Sequence, residues 1–101
     1  MIEKIQYGSL QWLDITNPSE RDYDMLLDDY HFHPLDIEDC RGTTQRPKID
    51  EYDDYYFLIL HFPYFDRDNK TVRIREVKLF WGRDFIITVG KAHWVVKKLF
   101  D

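Results

Sequence analysis

The sequence predicts one α+β domain with an α/β-like mixture of elements. Three observations carry that reading. Tyr55 to Phe62 is almost wholly apolar and aromatic, as in a strand covered on both faces. Asn17-Pro18-Ser19-Glu20 is a helix start followed by an amphipathic stripe. The 101 residues contain no linker, repeat or low-complexity tract that would divide them.

The elements follow in order. Residues 2–7 and 10–15 read as two strands joined at Gly8-Ser9, with Leu10, Trp12 and Asp14 on one phase and Leu13 and Ile15 on the other. Asn17 is placed as the helix cap, Pro18 at the first helical position and Glu20 three residues after the cap. This helix is expected to run to about Tyr30, with Tyr23, Leu26, Leu27 and Tyr30 at the spacing of one buried stripe. His33-Pro34 restarts a helix over residues 34–40, and Arg41-Gly42-Thr43-Thr44 breaks it. Residues 47–65 are strand-rich, with a turn or bulge at Asp53-Asp54. Asp66 to Lys70 is a polar hairpin connection. Val72 to Trp81 is a strand whose apolar phase switches from Val72 and Ile74 to Val77, Leu79 and Trp81, which predicts a bulge near Arg75-Glu76. Phe85 to Val89 is a further buried strand, and a helical pattern begins at Ala92 with Val95, Val96, Leu99 and Phe100 apolar. That last helix has no stop signal, so the chain is expected to be the front part of a longer protein.

Composition narrows the function. Seventeen aromatic side chains supply large buried groups for so short a chain. No stretch approaches the roughly 20 apolar residues that cross a bilayer, and Met1-Ile2-Glu3-Lys4 does not open a secretory signal. Cys40 is the single cysteine, which excludes a disulfide framework and a four-cysteine zinc site. The net charge of −5 argues against nucleic-acid binding. The charge is uneven: residues 1–55 hold 14 acidic and 5 basic groups, and residues 56–101 hold 5 acidic and 9 basic. An acidic face that attracts cations and a pair of ordinary solvated faces both fit that split.

The most informative stretch is His33-Pro34-Leu35-Asp36-Ile37-Glu38-Asp39, followed by Gln45-Arg46-Pro47-Lys48. Asp36 and Asp39 lie three apart on one helix face, with Glu38 about 100° round from Asp39. Clustered carboxylates repel unless a cation, an arginine or water intervenes, and hard oxygen donors suit magnesium or calcium. The competing view is a solvated acidic helix with Arg41 or Arg46 as counter-charge. His31 and His33 near Cys40 hint at zinc, but their spacing fits a helix cap and a wet loop better. His61 reads as a hydrogen-bonded core histidine. Ser9 and Ser19 sit in no nucleophile elbow, and the four glycines form no phosphate loop, so no enzyme is expected.

Trp12-Leu13-Asp14-Ile15, Asn17-Pro18, His33-Pro34-Leu35 with Glu38-Asp39, Gln45-Arg46-Pro47-Lys48, Tyr52 through Phe62 and Phe85 to Val89, taken in order, resemble the amino-terminal cytoplasmic domain of CorA-type magnesium and cobalt transporters. ZntB-type zinc transporters share the architecture, and a metal-independent interaction module could reuse it. The resemblance implies a mixed β-sheet sandwiched between helices. It also implies a longer protein in the cell membrane, with a stalk helix, two carboxy-terminal membrane helices and a homopentameric assembly. In it, this domain senses weakly bound regulatory Mg2+, with Co2+ or another divalent cation as the alternative, between neighbouring protomers. By the same carry-over, Glu38 and Asp39 are the sensing ligands. A fragment without the membrane helices cannot transport.

Overall fold

A computed structural model describes residues 2–42 and 46–90. The elements are β1 (Ile2–Tyr7), β2 (Leu10–Ile15), α1 (Glu20–Asp28), α2 (Pro34–Arg41), β3 (Lys48–Glu51), β4 (Tyr55–Asp66), β5 (Thr71–Gly82) and β6 (Phe85–Val89). The pattern expected from Ala92 onward, and residues 43–45 of the two linked motifs, lie outside the described residues.

The strands form one six-stranded sheet in the order β1-β2-β6-β5-β4-β3. All neighbours are antiparallel except β2 and β6, whose parallel register pairs Leu13 with Ile87 and Ile15 with Val89. The sheet is therefore mixed. The β1–β2 turn passes through Gly8 at φ +58, a conformation that glycine adopts without steric cost.

The ladder divides the sheet into two faces. Leu13, Ile15, Phe57, Ile59, Phe80, Ile87 and Val89 lie on one, and Tyr23 and Leu26 of α1 and Ile37 and Cys40 of α2 pack against them. Phe32, between the helices, is 3% exposed and stacks on Phe80 with centroids 4.1 Å apart and planes 9° from parallel. On the other face Trp12 and Val77 are buried among Ile5, Phe62 and Ile86. There the Trp12 indole donates to Thr88 Oγ1 at 2.9 Å, and the Thr88 hydroxyl donates to Asp14 Oδ1 at 2.7 Å. Trp12 and Asp14 thus share a phase, as the alternation predicts.

Three local expectations are corrected. The cap of α1 is Ser19, not Asn17. Ser19 Oγ accepts from the Asp22 N–H and the Asp22 carboxylate accepts from the Ser19 N–H, a reciprocal capping box that satisfies two helix-end donors. Asn17 instead sits at φ 48 in the turn before it. The helix stops at Asp28 rather than near Tyr30, although Tyr30 still packs on Phe32 and Phe85. No bulge occurs at Arg75-Glu76: the β4–β5 register runs unbroken from Tyr55↔Gly82 to Asp66↔Thr71. The switch of apolar phase reflects the two faces of one regular strand. Val72 and Ile74 share the face of Phe80 but are 66% and 64% exposed, so their apolarity does not mark the buried side.

The stacked pair Phe32–Phe80 joins the helix layer to the sheet, so Phe80→Ala is expected to lower the unfolding free energy by about 3–5 kcal/mol. Urea titration will read this as a lower midpoint at unchanged slope.

Candidate functional site

The site is built on α2. His33 caps it, Nδ1 accepting from the Leu35 N–H at 3.1 Å, and Pro34 occupies the first turn, where its missing N–H costs no hydrogen bond. This assigns His33 to structure. His31 lies exposed at φ 57.

The inner side of α2 is fixed at both ends. Asp36 is 1% exposed, and its two carboxylate oxygens accept from Tyr52 Oη at 2.9 Å and Tyr55 Oη at 2.8 Å. Tyr55 Oη in turn accepts from the His33 N–H at 2.8 Å, linking the cap, the carboxylate and β4 in one chain. Burial raises the Asp36 carboxyl above its ordinary value, against the lowering effect of the two tyrosines. Tyr52 is pushed up to about 12 by burial and by its bond to Asp36. At the other end Lys78, 8% exposed, donates to the Gly42 carbonyl at 2.9 Å and the Cys40 carbonyl at 3.4 Å. It thereby meets the negative end of the helix with a buried cation. Glu76 completes this corner, 3.4 Å from Lys78 and 3.0 Å from His61 Nε2, so His61 is hydrogen-bonded as expected but half-buried rather than in the core. Burial pushes the Cys40 thiol up to about 12, far from a reactive thiolate.

The outer side carries the two residues singled out as ligands. Glu38 is exposed, and Asp39 is half-buried beside β3. The counter-charge to Asp39 is neither Arg41 nor Arg46. Arg41 pairs with Glu20 across the helix layer and lies over the Tyr23 ring. Lys48 Nζ instead reaches Asp39 Oδ2 at 2.7 Å and Asp50 Oδ2 at 2.9 Å. Those two bonds, Asp39 first, raise the Lys48 ammonium well above its ordinary value. Asp36, grouped with Asp39 from spacing as one acidic face, is separated from it: Asp36 enters the core, and Asp14 is likewise buried rather than solvated.

Among the described residues no three His, Cys, Asp or Glu side chains gather as a metal cage. What α2 offers is an anchored helix with Glu38 exposed and Asp39 half-buried against Lys48 of β3. A separate groove of about 430 Å³, lined by Glu51, Asp53, Asp54, Tyr56, Trp81 and Arg83 among others, includes neither. Sequence reasoning missed Asp50 and the pairing role of Lys48. The available signal was the Lys48-Ile49-Asp50 alternation, which puts both charged groups on one strand face.

A family profile described as CorA-like Mg2+ transporter protein matches residues 7–98. YfjQ of Bacillus subtilis strain 168 is 37% identical over 89 residues, covering 86% of this chain and 27% of YfjQ. The cobalt/magnesium transport protein CorA of Thermotoga maritima is 25% identical over 77 residues, covering 75% of this chain and 22% of that protein. The soluble domain of CorA from Methanocaldococcus jannaschii shares the fold, with TM-score 0.68 at 18% identity over 91% of this chain and 37% of that one. The chain thus spans about a quarter of the length of the curated relatives named here.

The Asp36 latch has a pH signature. Its folded-state carboxyl lies above the ordinary Asp value of 3.8, so the native form holds the proton more firmly than the unfolded chain. Its contribution to stability is therefore full below that value and is lost as pH rises through the folded-state value. Comparing wild type with Asp36→Asn by urea unfolding is expected to show this loss in wild type alone. Tyr55→Phe, which strands one oxygen of Asp36 and the His33 N–H, is expected to cost about 1–3 kcal/mol.

Proposed function

The chain belongs to the CorA-like Mg2+ transporter family, and from that premise we propose that it is the amino-terminal cytoplasmic domain of a longer divalent-cation transporter. In this reading residues 1–101 form a single domain ahead of a stalk helix and membrane helices, and the domain regulates transport rather than conducting ions. The work of the family is transport, not catalysis. Mg2+ and Co2+ are the leading cations, since the family description carries the first and the name of the Thermotoga relative carries both.

Glu38 and Asp39 are proposed as the ion-sensing pair, at an interface with a neighbouring protomer of a homopentamer. One observation carries this part. α2 is held on its inner side by Asp36 and Lys78, while Glu38 is exposed and Asp39 is only half-buried, at the β3 side. Two carboxylates from one chain are too few to enclose an ion, but Mg2+ keeps several waters and needs only one or two from each side. An ion shared with a second protomer offsets carboxylate repulsion across the interface. Interface strength then follows ion concentration by mass action. If the bridged arrangement is the closed one, the ion shifts the gating equilibrium toward closed by its differential affinity. Because α2 is bonded to the strands through Asp36 and Lys78, that preference would be transmitted to the rest of the domain.

The test is cation flux through the reconstituted full-length protein against internal Mg2+. The double variant Glu38→Gln with Asp39→Asn is expected to raise the Mg2+ concentration for half-inhibition by about fivefold or more. An unchanged midpoint would leave the domain as a metal-independent assembly module.

A further inference from the structure

We infer that Lys48 sets the affinity of Asp39 for a divalent cation by occupying that carboxylate in the ion-free protein; this rests on the reading of Asp39 as an ion ligand. The ammonium of Lys48 stands where a cation would be most attracted, 2.7 Å from Asp39 on α2 and 2.9 Å from Asp50 on β3. Strand alternation enforces the arrangement: Lys48 and Asp50 share the face turned toward α2, while Ile49 between them points away and is 65% exposed. An incoming divalent ion therefore meets a positive charge at ion-pair distance. It must displace Lys48 from Asp39 or bear the repulsion.

Displacement is easy for two reasons. Lys48 does not become an uncompensated charge when it leaves Asp39, because Asp50 still holds it and the Phe57 ring lies 5.7 Å from Nζ. The three side chains are 39%, 25% and 38% exposed for Lys48, Asp39 and Asp50, so water screens the pair and can follow either partner. Lysine suits such an exchange: it is a compact, hydrated point charge on a flexible stem, whereas arginine would lock the carboxylate in a planar fork. Glu38, exposed at the edge of the helix, remains open to the ion throughout. The result is a carboxylate whose cation affinity is lowered by a built-in competitor, as a sensor of an abundant ion requires.

The experiment measures the Mg2+ concentration that half-protects the full-length protein from limited proteolysis, with MgCl2 alone as the probe. Lys48→Met is expected to lower that concentration about two- to fivefold, the spread set by the worth of a partly exposed ion pair. Lys48→Gln provides the same neutralisation if the Met variant fails to fold. Lys48→Arg, which keeps the competing charge, is expected to leave the midpoint at or above the wild-type value, a rescue that a merely structural role of the side chain would not produce. Asp39→Asn is run in parallel. If it leaves the midpoint unmoved, Asp39 is not a ligand and the inference falls with that reading. If it shifts the midpoint while both neutral variants at position 48 leave it unchanged or raise it, the role of Lys48 alone is overturned.

Discussion

A carboxylate with 1% exposure is costly unless both of its oxygens are satisfied, and the arrangement of this domain follows from how Asp36 meets that demand. Two tyrosine hydroxyls, from β4 and the turn before it, are brought to the same helix residue. One of them also accepts the N–H of the cap residue, so the cap of α2, its first turn and β4 share a single hydrogen-bonded chain. A helix of eight residues gains little from its own backbone cooperativity. Its orientation is instead set by this chain and by Ile37 and Cys40 in the core. Lys78 donates to the carbonyls of Cys40 and Gly42 at the other end. The helix is thus pinned by polar contacts at both ends and apolar ones between.

Such polar contacts adjoin a buried apolar and aromatic core. Phe32, Tyr55, Phe57 and Phe80 form a continuous aromatic array between helices and sheet. A chain this short buries a smaller fraction of its surface than a larger domain, and large aromatic rings make up part of that deficit per residue. The array packs around Tyr55, so its hydrogen bond to Asp36 is buried and carries a higher penalty for loss. The high aromatic content and the buried carboxylate are therefore one design feature, not two.

Much of this was legible in the residues. Alternation and turn chemistry located β1, β2 and β6, and the histidine-proline pair located α2, because those signals are local. The misread points share a different cause. Asn17 and Ser19 are both good caps, and only the position of Asp22 chooses between them. The phase switch in β5 imitated a bulge because apolar residues lie on both faces of a strand whose far end is exposed. Spacing put Asp36 and Asp39 on one face. Whether a face is buried depends on what packs against it, and that information sits beyond the helix, in Lys48, Tyr52 and Tyr55. Long-range pairing of polar groups leaves no periodic mark, which is why the latch, Asp50 and the Lys48 bridge had to come from the structure.

The contrast between Asp36 and Asp39 carries the functional logic furthest. They are three residues apart on one helix and chemically identical, yet one is held by uncharged donors in the core and the other by a cation near the surface. Neutral hydroxyl donors do not exchange with ions in solution, so Asp36 is committed to structure. An ammonium in a half-exposed setting is a cation already, and in the proposed reading the carboxylate it serves trades it for another. On the proposed reading of Asp39 as an ion ligand, the domain separates rigidity from responsiveness within a single turn of helix. A ligand-dependent interface needs both, because an ion can bias the position of a whole domain only if the residue it touches is free to bind and its backbone is not free to move.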